Sequence, residues 1–252
     1  SDRVLKPAVA AVANKIDFDG ATMARMNTAN IVGTPGTPPT SLLTYLTAQA
    51  YLDSEGAPRD GNRTCVIEPF TGATIVDSLK GLFVPSDRIG MQYEKGLMGR
   101  DSAGMNWKMD QNISAQTFGS YAGTATINTS TDTGILTSGW AQTSTLTLSK
   151  SGTFTPNVGD TFTIANVYAV NPQNRQAYGG NKLRNFVVTS TATATTGGVS
   201  VTVSPAIITA GQFQNVVVNT TSSTAAVTPF ANSGEVSPQN IMCHRNAFTL
   251  AT

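Results

Sequence analysis

Few residues in this chain are of a type and spacing that could do chemistry. A single histidine, His244, stands beside Cys243, one of two cysteines, and the adjacency suggests a thiol with its base. In an extended segment, however, neighbouring side chains leave on opposite faces, so the imidazole could not take the thiol proton. Cys65 and Cys243 fall in no metal-ligand spacing and are too few for a disulfide framework, so both read as reduced, buried thiols. The carboxylate pairs Asp17/Asp19 and Asp53/Glu55 could share a proton or a cation, but they sit where helices end and read as solvated surface. No Gly-x-Ser-x-Gly elbow, dinucleotide fingerprint or Walker loop occurs. Asn112-Ile113-Ser114 and Asn219-Thr220-Thr221 match glycosylation sequons, which matter only on a secretory route, and no secretory signal is read. The residues therefore assign no catalytic, cofactor-binding or metal-ligating role.

The elements that would position these groups fall into two textures. Residues 1–110 hold 11 of the 16 Lys and Arg and 12 of the 15 Asp and Glu, and charge nearly vanishes beyond Asp110. In its place, about three residues in ten between Tyr121 and Thr228 are Ser or Thr, the mix of a sheet whose solvent face is hydroxylated rather than ionised. A net charge of +1 with scattered basic residues gives no footprint for nucleic acid or anionic membrane. No apolar run approaches the ~18 residues of a membrane span.

In the charged part, Leu5, Val9, Val12 and Ile16 recur at helical spacing, in a helix expected to end near Asp17 to Gly20, with Pro7 in its first turn or at a kink. Thr34 to Pro39 reads as a rigid loop leading to an N-cap at Thr40 or Ser41 and a second helix with Leu42, Leu43, Leu46 and Ala50 inward. A strand over 63–68 leads at Thr71 into a helix with Ile75, Val76, Leu79 and Leu82, and Ser86 caps another. Met105, Trp107 and Met109 alternate with polar residues in a long strand running towards Phe118. This is α+β layering. In the hydroxylated part, Thr145 to Val167 alternates with period two around the turn Asn157-Val158-Gly159-Asp160, a β-hairpin signature, and further hairpins are expected over 183–195 and 199–207 around Thr196-Gly197-Gly198.

Several segments together carry a resemblance: VLKPAVAAVANKID (4–17), IVGTPGTPPTSLLTYLTAQAYLDSEGAPRDGNRTCVIEPF (31–70), GLFVPSDRIGMQYEKGLMGR (81–100), WKMDQNI (107–113), GDTFTIANVYAVNPQN (159–174) and HRNAFTLAT (244–252). In the same order and over most of the chain, they resemble the major coat proteins of tailed bacteriophages, most nearly the short-tailed Salmonella phage P-twenty-two type and its prophage relatives. The resemblance implies a Hong Kong 97-like capsid fold, α+β, with a spine helix, an axial-domain mixed sheet with helices, and an inserted all-β barrel. The implied domains are the end of the spine helix in the peripheral domain (1–26), the first part of the axial domain with the β-hinge strand (27–121), the barrel (122–232) and a return strand (233–252).

The implied function is structural: a subunit of an icosahedral phage or prophage capsid, assembled in the bacterial cytoplasm with a scaffolding protein and portal. Its expected partners are other copies of itself in hexamers and pentamers, and the enclosed DNA without sequence-specific contact; no membrane, cofactor or enzyme activity is implied. The family's N-terminal arm, extended loop and closing strands have no counterpart among these residues, so shell assembly by these residues alone is not expected. A virion-surface carbohydrate- or receptor-binding module is the alternative, favoured when the Thr-rich part is considered alone, although Trp140, Tyr168 and Tyr178 look dispersed for a sugar site. Arg175, Lys182 and Arg184, with Tyr178, lie in or beside the loop 171–182 and are the expected intersubunit contacts, by analogy with the family's insertion-domain loops.

Overall fold

The computed structural model describes residues 2–79, 103–190, 192–195, 197–218 and 224–249. The expectations for Leu82 and for a helix capped by Ser86 lie outside the described residues. Helix α1 spans Asp2–Asn27, with Pro7 inside it. It runs past Asp17 to Gly20 because its last turns are anchored: Thr22 Oγ1 and Arg25 Nε reach Ser114 Oγ at 3.2 and 3.1 Å. Side chains close its end, Asn27 donating to the Met23 carbonyl and Thr28 to that of Ala24. The stripe Leu5, Val9, Val12 and Ile16 is 49–63% exposed, an apolar face with no cover within the described residues.

Ser41 caps α2 (Leu42–Ser54), its hydroxyl accepting from the Leu43 N–H. The inward face differs from the expectation. Tyr45 and Gln49 are buried, with Leu42 half-buried, while Leu43, Leu46 and Ala50 point out. The segment is apolar nearly all round, so periodicity does not select a face; packing does, because the Tyr45 ring meets Trp107 edge-on at 4.9 Å.

Strand β1 (Arg63–Ile67), helix α3 (Pro69–Leu79) and strands β2 (Asn106–Met109) and β3 (Ala115–Thr117) follow, with β14 (Val236–Pro238) and β15 (Ile241–His244) near the end of the chain. β1 lies between a parallel β2 and an antiparallel β15, with Cys65 opposite both Trp107 and Met242. Over this mixed sheet Tyr45, Cys65, Ile67, Ile75 and Met105 form one core. Burial pushes the Cys65 thiol up to about 12, so it stays protonated and inert. The long strand expected from Met105 to Phe118 is broken. Asp110 Oδ1 accepts from the Asn112 N–H at 2.9 Å, an Asx turn that ends β2, and β3 pairs instead with β14.

The remaining strands are β4 (Thr124–Asn128), β5 (Ile135–Leu136), β6 (Ser144–Ser151), β7 (Thr161–Ala169), β8 (Leu183–Val188), β9 (Thr193–Thr195), β10 (Gly198–Ser204), β11 (Ile207–Ile208), β12 (Val216–Val218) and β13 (Thr224–Pro229). Six close into an antiparallel barrel in the order β4-β6-β10-β8-β7-β13 and back to β4. The expected hairpin between β6 and β7 does not form. The alternation had the faces right, Leu146 and Leu148 buried between exposed Thr145 and Thr147, but not the partners. β4 and β10 occupy the two edges of β6, and the link over 152–160 crosses the barrel end, dropping Phe154 into the core. β9 and β10 pair around the expected turn, but neither 183–195 nor 199–207 closes into a hairpin of its own: β8 pairs with β7 and β10, and β11 pairs with β5. Leu146, Leu148, Phe154, Ile164, Phe186, Val201 and Val203 are at most 1% exposed. Each such side chain contributes about 1.5–3 kcal/mol by burial.

The barrel is reached through a two-stranded stalk, β3 against β14, with Gln116 opposite Ser237. Above it the chain runs so close to the barrel wall that side chains are excluded: a Cβ on Gly119 would sit 2.2 Å from the Thr155 carbonyl oxygen, and one on Gly123 2.0 Å from that of Ser151.

Candidate functional site

Two buried polar assemblies mount the barrel, one at its base and one against the end of α2. The first centres on Asp160, which closes the turn begun by Asn157 and is fully buried. Its carboxylate accepts from Gln116 Nε2 at 2.6 Å, from the Gly119 and Asn157 N–H groups at 2.8 Å each, and from the Tyr121 hydroxyl. Three of these four donors lie on the segment 116–121 that leads from the stalk into the barrel. A buried carboxylate held by four donors is satisfied, and the geometry fixes the barrel's base on its stalk. Burial, and then the charge of Asp160, raise the Tyr121 hydroxyl far above its usual range, which keeps it a donor. The Arg25 guanidinium of α1 feels the same charge: burial lowers its pKa and Asp160 partly offsets this.

The second assembly runs through the loop 55–62. Glu55 terminates α2, its N–H donating to the Tyr51 carbonyl, so its carboxylate sits at the negative end of the helix dipole. The compensating charge comes from the barrel: Arg184 Nη1 donates to Glu55 Oε1 at 2.7 Å, and Tyr178 is buried beside the pair. Burial, and then the Glu55 charge, raise the Tyr178 hydroxyl. The loop itself is braced. Arg63, 1% exposed, donates to the Ala57 and Pro58 carbonyls and pairs with Asp53 at 2.7 Å, while Arg59 holds the same carboxylate from outside. His244 Nε2 lies 3.1 Å from Asp60 Oδ1, and its Nδ1 accepts from the Asn246 N–H at 3.3 Å. Both imidazole nitrogens are thus engaged away from Cys243. Hydrogen bonds from Asn62 and His244 hold Asp60 well below the usual carboxylate range.

Asp53 makes the brace sensitive to acid. Hydrogen bonds from Arg59 and Arg63 lower its pKa to about 2. A depressed carboxylate stabilises the fold above its unfolded value, near 3.8, and that contribution is lost as pH falls through the folded one. The urea midpoint is expected to fall as the solution is acidified from about pH 4 to about pH 2, and Asp53→Asn should lower the neutral-pH midpoint while flattening this slope. An unchanged slope in the variant would place the acid sensitivity elsewhere.

Of the residues expected at subunit contacts, Tyr178 and Arg184 meet inside the chain, on Glu55. Arg175, with a left-handed φ of +56°, and Lys182 are exposed in the loop between β7 and β8. Asp53 and Glu55 are corrected from solvated surface to ion-paired anchors; their partners lie 6 to 129 positions away, beyond local reading. Asp17 and Asp19 remain exposed, bound by Asn112 and Lys15. Asp160 had one sequence signal. It is among only three acidic residues after Asp110, set between hydroxylated strands, where an isolated charge must find partners. Among the described residues no cluster of three or more His, Cys, Asp or Glu could hold a metal, and no helix is long and apolar enough to cross a membrane.

Buried charge here ties one folding unit to another across long stretches of chain. The particular family follows from comparison: the model described as P22 coat protein, gene protein 5, matches residues 1–245, and the chain belongs to that family. It is a bacteriophage capsid protein of a structural rather than enzymatic family. No curated protein sequence matches it.

Proposed function

We propose that this chain is a subunit of an icosahedral phage or prophage shell that self-assembles with a scaffolding protein and portal in the host cytoplasm and encloses DNA without reading its sequence. In this reading α1 is the end of a spine helix, the mixed sheet with α2 and α3 is an axial domain, and the barrel over 122–232 is an insertion in a Hong Kong 97-like fold. The observation that carries it is the double anchoring of the barrel, at Asp160 and at Glu55–Arg184, within a member of the coat-protein family. A rigidly mounted insertion can hold its loop at one angle to a neighbour, and symmetry repeats that angle around a shell.

Within this reading Arg184 and Tyr178 set the base of the loop 171–182, and exposed Arg175 and Lys182 meet acidic groups of a neighbouring subunit. An exposed ion pair contributes only about 0–1 kcal/mol. Repetition around the shell lets that small term select curvature. Replacing Arg175 and Lys182 together by alanine, in the full-length coat protein expressed with its scaffolding partner, should leave thermal stability within about 0.5 kcal/mol of the parent. Electron micrographs should show fewer correct shells and more aberrant or small ones. Normal shells in normal yield would remove the loop from assembly, and failure of the full-length coat protein to form any shell with its scaffolding partner would overturn the reading as a whole.

A further inference from the structure

Two stretches of the barrel follow one pattern. Ile135-Leu136-Thr137-Ser138-Gly139-Trp140 and Ile207-Ile208-Thr209-Ala210-Gly211-Gln212-Phe213 each run through two aliphatic residues, threonine, a small residue and glycine to an aromatic. They also lie side by side. β5 and β11 pair in parallel, Ile135 opposite Ile207 and Leu136 opposite Ile208, and both the N–H and the hydroxyl of Thr209 donate to the Leu136 carbonyl, at 2.9 and 3.0 Å. Gly139 and Gly211 then take left-handed φ of +85° and +90°. A Cβ on Gly211 would touch Ser138 Cα at 3.9 Å, so the two turns are neighbours. Their aromatic residues stay in water, Trp140 67% and Phe213 48% exposed.

The surroundings narrow what such a pair can hold. Neither loop carries a charged residue of its own, and the nearest in sequence, Asp132, already accepts from the Gly134 and Thr147 N–H groups at 2.8 and 2.9 Å, so the loops supply no counter-charge of their own to an ionic ligand. Exposed Thr137, Ser138, Gln142 and Gln212 supply hydroxyl and amide groups that both donate and accept. Two short loops offer far less than the ~1,200 Å² or more that a stable protein interface buries. Flat aromatic faces bordered by uncharged donors and acceptors match a pyranose ring, whose C–H face is apolar and whose rim is hydroxylated. We propose that the Trp140 and Phe213 loops form a binding platform for neutral carbohydrate. This function is additional to shell formation and does not depend on it.

The whole chain would be titrated with maltohexaose, cellohexaose and mannohexaose, following heat and tryptophan emission, with hexagalacturonate as the charged comparison. Saturable binding of at least one neutral sugar is expected, with a blue shift that is absent in Trp140→Phe. Trp140→Ala and Phe213→Ala should each weaken binding about tenfold or more, with an unchanged circular dichroism spectrum because both side chains lie outside the core. The proposal is overturned if no neutral sugar binds at about 10 mM, if hexagalacturonate binds better than all three, or if binding survives both alanine substitutions. It is equally overturned if Trp140 instead drives self-association of the chain, seen by sedimentation and lost in Trp140→Ala.

Discussion

Replacing Asp160 by alanine is expected to lower the unfolding free energy by about 3–5 kcal/mol, the range for removing one partner from a buried charged cluster. The substitution removes a fully buried carboxylate and orphans the Gly119 and Asn157 N–H groups and the Tyr121 hydroxyl at once, while Gln116 Nε2 keeps the Val158 carbonyl at 3.0 Å. Gly119 and Asn157 donate from the backbone, so they cannot turn away to find water, and the Arg25 guanidinium loses the favourable charge of Asp160. Asp160→Asn should cost less, because one acceptor oxygen survives, although its amide nitrogen then faces donors. Urea unfolding followed by circular dichroism measures both variants. A loss below about 1 kcal/mol for the alanine variant would mean that water replaces the carboxylate and that the stalk is not anchored there.

The second expectation concerns where the barrel can be cut free. Residues 122–230 contain every strand of the closed barrel, yet Asp160 draws three of its four donors from Gln116, Gly119 and Tyr121, outside that span. The stalk strands and the bonds linking Phe118 to Glu235 and Gly234 to Gly119 are lost with them. A fragment of residues 114–239 should therefore fold alone and give a dispersed amide spectrum. The 122–230 fragment should be less stable by about 3–5 kcal/mol for the same buried-charge reason, a large share of the roughly 5–15 kcal/mol that a domain usually has. Equal urea midpoints for the two fragments would show that the barrel wall alone determines its stability and that the stalk is only a tether.

Both expectations bear on how an insertion can serve a shell. A barrel on a loose linker would sample many angles, whereas one held at its base by Asp160 and on its flank by Glu55–Arg184 presents its loops in one direction. Those ties use charge in the part of the chain that has almost none. Each is buried or half-buried, where a carboxylate and its donors hold each other more firmly than at an exposed site.

The sequence by itself determined the two textures, the α+β layering, the faces of the barrel strands and the family. Alternation in Thr145 to Leu148 decides which side chains point inward, because a strand's period of two allows only two choices and burial of Leu146 and Leu148 favours one. Tertiary structure alone decided the partners. β6 pairs with β4 and β10 rather than β7, since strand edges are chemically alike and only closure of the barrel ranks them. It decided the inward face of α2, where an apolar helix offers two equal stripes and the Tyr45–Trp107 contact selects one. It also decided the site. Asp160, Glu55 and Asp53 look alike as isolated carboxylates, and what separates an anchor from solvated surface is a donor up to 129 positions away, brought within 2.7 Å only when the barrel seats against the end of α2.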